Sequence, residues 1–151
     1  MSTTSAGRSP ILAAFSMQEV AESVYSGPSV GDEQRPVVFG GQIMGQMIVA
    51  AALADGAKSV KSLHLIFARP GKVDLPVDIR IRKVHSGRAF ASTSAVASQG
   101  DRVLSEGLLL LDVGEEDVIR HQLPMPAVGK PEDSPAVEQA EAGVELRIVD
   151  G

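Results

Sequence analysis

From Ile43 to Ala54 this chain has a single polar side chain, Gln46. The run is preceded by Phe39-Gly40-Gly41-Gln42 and followed by Asp55-Gly56, which predicts a glycine-led helix with a left-handed glycine cap at its end. A surface helix shows an apolar stripe and a polar face. A helix without a polar face has to be buried on nearly every side. Four alternating segments follow it. Val60 to Phe67 sets Leu63, Leu65 and Phe67 against His64 and Ile66, and Val77 to Val84 sets Val77, Ile79 and Ile81 against Asp78, Arg80 and Arg82. Phe90 to Ser98 places Phe90, Ser92, Ser94 and Val96 on one side. Val103 to Leu111 ends in four leucines, which predicts burial on both faces. Ser86-Gly87 and Gly100-Asp101 are tight turns, so two hairpins follow one another and the sheet is antiparallel. These elements predict an α+β fold, an antiparallel sheet wrapped around a long buried central helix. The first backbone N–H groups of such a helix stay free to meet a ligand.

The flanks are less regular. Residues 1–19 read as an N-terminal segment, polar at first, with a short helix starting at Pro10 and running to Phe15. A first strand is expected at 20–25, and the Gly- and Pro-rich stretch Ser26 to Pro36 reads as a loop. The compact domain is expected over 20–112. Residues 112–145 hold nine acidic and two basic residues, with prolines at 124, 126, 131 and 135, so 113–143 reads as an extended, solvated linker. Val144 to Val149 then alternates like a strand that has just begun.

Composition narrows the classes. The chain has 151 residues, enough for one domain. Aromatics make up only 3%, so the core is aliphatic. A net charge of −5 gives no basic footprint for nucleic acid. Cysteine is absent, which excludes disulfides and thiolate chemistry and suits a cytoplasmic protein. The apolar run makes a helix of about 18 Å, too short for roughly 30 Å of hydrocarbon, so no membrane span is expected. Three scattered histidines do not compose a metal site. No Gly-x-Ser-x-Gly elbow and no Walker motif is present.

Specific motifs point further. Arg35-Pro36-Val37-Val38-Phe39-Gly40-Gly41-Gln42 with Gly45-Gln46, then Ser62-Leu63-His64-Leu65-Ile66-Phe67-Ala68-Arg69-Pro70-Gly71, then Gly87-Arg88-Ala89-Phe90-Ala91-Ser92, resemble the acyl-CoA thioesterase II family in order and spacing. His121-Gln122-Leu123-Pro124-Met125-Pro126 resembles the segment after the family's first domain. The resemblance covers roughly residues 20–126. It implies a hotdog fold, two such repeats in a chain of nearly twice this length, and hydrolysis of acyl-CoA to free fatty acid and CoA. The chain then corresponds to the amino-terminal repeat and linker, with 144–151 the start of a second, truncated repeat. The resemblance also implies that the catalytic Asp, with its Thr/Ser and Gln partners, lies in that second repeat. Here the helix start offers Gly41-Gln42 and no carboxylate, and Lys61 stands where family members often carry a histidine.

The expected substrate-binding residues are Phe39, Gly40, Gly41, Gln42, Gln46, Arg69 and Lys72. Gly40 to Gln42 either meets the thioester carbonyl or pantetheine arm, or only turns the chain into the helix. Gln42 and Gln46 either contact ligand or make structural hydrogen bonds. Arg69 and Lys72, after the strand, suit the phosphates of CoA, while Arg80 and Arg82 read as a solvated strand face. His64 is the one candidate for catalysis, set against a structural histidine. No cofactor is expected, because CoA is part of the substrate. The partners expected are acyl-CoA and a second hotdog repeat or subunit joined through the sheet edge. The rival functions are a non-catalytic acyl-CoA-binding or assembly module and a hotdog hydratase. The hydratase would want an Asp and His pair at the helix start, which is missing.

Overall fold

The structure, a computed structural model, describes residues 10–31, 36–116, 118–137 and 146–149. The polar start 1–9, Arg35 of the loop, and the beginning of the expected strand at Val144 and Glu145 lie outside the described residues. Two compact units are present, Met1–Gly114 and Glu115–Gly151.

The first unit contains helix α1 (Pro10–Ala14), strands β1 (Gln18–Ala21) and β2 (Val24–Gly27), helix α2 (Gly40–Asp55), and strands β3 (Ser59–Phe67), β4 (Val77–Ser86), β5 (Phe90–Gln99) and β6 (Arg102–Asp112). The six strands form one sheet in the order β1-β2-β4-β5-β6-β3, antiparallel throughout. The single strand expected at 20–25 is instead a hairpin. Ser23 takes a positive φ of 57°, and its N–H donates to the Glu19 carboxylate at 3.1 Å, which folds the chain back on itself. A side-chain turn of this kind leaves no apolar signature, so the poor alternation there hid two short strands.

The concave face of the sheet carries rows such as Leu65–Gly107–Ala95–Ile81, and α2 lies across it. Ile43, Met47, Ala50 and Ala51 of α2 join Tyr25, Val77, Ile79, Ile81, Leu104, Leu109 and Leu111 in the core. Two expectations need correction. Leu108 and Leu110 sit on the outer face and are exposed, Leu108 at 62%, because only alternate residues of a strand can face the helix. Likewise α2 is not covered on every side. Met44, Ile48 and Leu53 are exposed, because one sheet covers only one flank of a helix.

In the second unit the described residues are mostly exposed. They hold a 3-10 turn at Pro131–Asp133 and one antiparallel bridge, Ala136 to Arg147. The Val137 N–H donates to the Leu146 carbonyl at 2.9 Å, and the Arg147 guanidinium to the Ser134 carbonyl at 2.8 Å. Residues 146–149 thus pair back onto 135–137.

Candidate functional site at the start of the central helix

The α2 ladder begins when the N–H groups of Gln42 and Ile43 both donate to the Phe39 carbonyl, at 3.0 and 3.3 Å. The amides of Gly40 and Gly41 therefore precede the ladder, and Phe39 makes no side-chain cap over them. None of Gly40, Gly41 and Gly45 has a positive φ, so no backbone strain calls for glycine there. What calls for it is space. A Cβ on Gly40 would lie 3.0 Å from Cζ of Phe67, and one on Gly41 would lie 2.5 Å from Cε1 of Phe39. A Cβ on Gly45 would overlap the Phe15 ring. Three of the chain's four phenylalanines thus sit on the three glycines of α2.

Beside Gly40 opens a cavity of about 370 Å³, lined by Val38, Gly40, Ile43, Phe67, Ala68, Arg69, Pro70 and Gly71. Its walls are apolar apart from Arg69, whose guanidinium donates to the Val103 carbonyl at 3.2 Å. No Asp, Glu or His lines it. The wall is shaped by the turn after β3, where Val38 N–H donates to the Gly71 carbonyl at 2.9 Å and Leu104 accepts from the amides of Ala68 and Arg69.

Of the residues expected at a site, Gly40 and Arg69 line this cavity, and Phe39 and Gly41 adjoin it through the helix start. Gln42 and Gln46 are fully buried and tied to backbone. Gln42 accepts from Val30 N–H at 3.0 Å and donates to the Pro28 carbonyl at 3.3 Å, and Gln46 donates to Pro28 and Ala14, both at 3.0 Å. Any part they take in binding runs through the loop and α1 that they hold to α2. Lys72 is outside the cavity lining. Its backbone N–H donates to Gln99 at 2.8 Å and its carbonyl accepts from Gln99 at 2.7 Å, which fixes the chain and leaves the side chain exposed. His64 lies opposite Leu108 and is exposed with it, on the face of the sheet turned away from α2. Lys61 forms an ion pair with Asp112 at 3.2 Å.

Sequence reasoning did not single out Phe67, Val38, Ile43 or Phe15. Phe67 read as one more core-facing position, and nothing local shows that its ring reaches a glycine 27 positions earlier. Among the described residues no group of three potential metal ligands forms, and no helix is long and apolar enough to cross a membrane.

A long helix held against one antiparallel sheet in this order defines the hotdog class. A hot dog fold protein from Alicyclobacillus acidocaldarius superposes with a TM-score of 0.73 at 23% identity, over 86% of this chain and 50% of that one. The chain belongs to the family described as the acyl-CoA thioesterase N-terminal domain, whose family model matches residues 28–111. It is 29% identical to mouse (Mus musculus) acyl-coenzyme A thioesterase 8 over 124 residues, 82% of this chain and 39% of that protein. A TesB protein of Mycobacterium avium subsp. paratuberculosis is 27% identical with a TM-score of 0.74, over 82% of this chain and 49% of its own. The chain therefore spans about two fifths of the curated relative and about half of the solved structures.

Proposed function

We propose that this chain is the substrate-holding, amino-terminal half of an acyl-CoA thioesterase with two hotdog repeats, and that the catalytic carboxylate comes from the other repeat. The observation behind this is the apolar cavity beside the Gly40–Gly41 helix start, with one guanidinium on its wall and no acid or base in it. Hydrolysis of a thioester needs an activated water, a base and donors for the developing oxyanion. Two amides that precede a helical ladder are pre-aligned donors carrying partial positive charge, and one such donor is worth on the order of 3 kcal/mol in related acyl transfer. Arg69, with Lys72 after the same turn, would meet the phosphates of CoA, and the phenyl ring of Phe39 would shelter the thioester from water. We assign the protein to the cytoplasm, which its cysteine-free sequence suits without requiring, with no cofactor beyond the CoA of the substrate.

The lack of a base in the cavity also favours a second reading, a non-catalytic acyl-CoA-binding module. One titration and two assays separate them. S-dodecyl-CoA, a thioether that cannot be hydrolysed, should bind the 151-residue chain saturably by calorimetry. Gly41→Val should weaken that binding about tenfold or more. The chain alone should release no CoA from dodecanoyl-CoA, and turnover should appear once it is joined to a second hotdog repeat carrying a carboxylate at its helix start. No turnover in the joined protein leaves the binding module. Robust turnover by the chain alone overturns the placement of the base, and lack of binding overturns both.

A further inference from the structure

Half of the cavity lining, Ala68 to Gly71, belongs to the connection between β3 and β4, which forms neither helix nor strand. Such a segment keeps its shape only where its backbone groups find partners. Its first residues are held by main chain, since the Leu104 carbonyl accepts from the amides of Ala68 and Arg69. Further along it is held by the side chain of Gln99, the last residue of β5. Gln99 is 8% exposed and does not line the cavity. Its Oε1 accepts from the Lys72 N–H at 2.8 Å, and its Nε2 donates to the carbonyls of Lys72 at 2.7 Å and Leu75 at 2.9 Å. The Leu75 carbonyl has a second donor in the Ser29 hydroxyl, at 2.6 Å. Only a primary amide supplies one acceptor and two donors from a single uncharged side chain of this size. Lys72 follows Gly71, whose carbonyl accepts from the Val38 N–H at 2.9 Å, and Val37 bridges to Lys72 across the same junction. Val38 and Gly71 both line the cavity, and α2 begins at Gly40, two residues after Val38. The clamp on Lys72 therefore sets where the cavity wall meets the helix start.

We infer that Gln99 is a positioning residue of this cavity: through Lys72 and Gly71 it holds the wall against the start of α2 and keeps the site formed before an acyl-CoA arrives. This rests on the reading of the cavity as an acyl-CoA site. A site whose walls already stand in place loses no affinity to ordering them. Without the amide, the junction of Val38 with Gly71 opens locally while the core under α2 stays closed.

The test pairs two measurements on the 151-residue chain. Calorimetric titration with S-dodecyl-CoA reads the affinity, and hydrogen exchange followed by NMR reads the amides of Val38, at the junction, and Ala50, fully buried within α2. Gln99→Met keeps the length of the side chain and removes its hydrogen bonds. It should weaken binding about tenfold. It should also speed exchange at Val38 by about tenfold or more and leave Ala50 as in wild type. Gln99→Asn keeps an amide but is one methylene too short for the same reach, and it should shift both readings in the same direction, so it serves if the Met variant does not fold. A merely structural role would speed Val38 and Ala50 together, and that result overturns the inference. Unchanged affinity in a folded variant, with wild-type binding intact, overturns it as well and leaves the acyl-CoA site standing. Absence of binding by the wild-type chain overturns both together.

Discussion

Tyr25 shows how position in the sheet changes the chemistry of one side chain. It is buried on the concave face and lies directly across from Glu19 of β1. Burial, and then the negative charge of Glu19, raise its phenol above the usual 10.0. The folded chain thus keeps the phenol neutral at a pH where the unfolded chain would ionise it. That contribution to stability is complete below about pH 10 and is lost as pH rises further. Tyr25→Phe should make the fall in urea midpoint between pH 9 and 11 shallower than in wild type. An equally steep fall would show that Tyr25 does not set it. Gln42 and Gln46 make a parallel case. Their interruption of an apolar helix was plain in the sequence. Their partners, the carbonyls of Ala14 and Pro28 and the amide of Val30, were not, because those atoms belong to segments 12 to 32 positions away.

Among the elements, α2 is the best specified from its own residues. Gly56 ends it with φ 73°, and its N–H donates to the Ala52 carbonyl at 2.9 Å. A Cβ at Gly56 would meet nothing within 4 Å, so Gly56→Ala tests backbone conformation alone. It should cost about 1 kcal/mol and lower the melting temperature by roughly 2–4 °C. An unchanged melting temperature in thermal unfolding followed by circular dichroism would mean that the helix ends without needing the left-handed residue. The glycines at the other end of α2 act differently. They make room for the rings of Phe15, Phe39 and Phe67, and a reading confined to the helix sees only a flexible corner.

At the scale of the molecule, the two sheet edges differ. β1 is four residues long and broken by a bulge. β3 is nine residues long, and among the described residues its outer edge is unpaired. A long unpaired edge, in a unit whose α2 also exposes Met44 and Ile48, is a template for association. We propose that a second hotdog repeat or another subunit covers it. The 151-residue chain at tens of micromolar should then scatter light as a dimer or larger, well above its 15.8 kDa. A clean monomer would argue that the edge is protected without a partner.

The helix, its cap and the two hairpins β4–β5 and β5–β6 were written in local pattern, because turns and periodicity act between near neighbours. The motifs around Gly40, Arg69 and Gly87 carried the family for the same reason, since each is a short unbroken run. Three things were decided only when the chain folded. β3 pairs with β6 rather than with the strand that follows it, the β1–β2 hairpin depends on one side-chain turn, and Phe67 closes over Gly40. Each is a meeting of residues distant in the chain or a choice between nearly equal local conformations. Packing of distant segments makes the first and third choices and the Glu19 side chain makes the second, and hydrophobic periodicity records none of them.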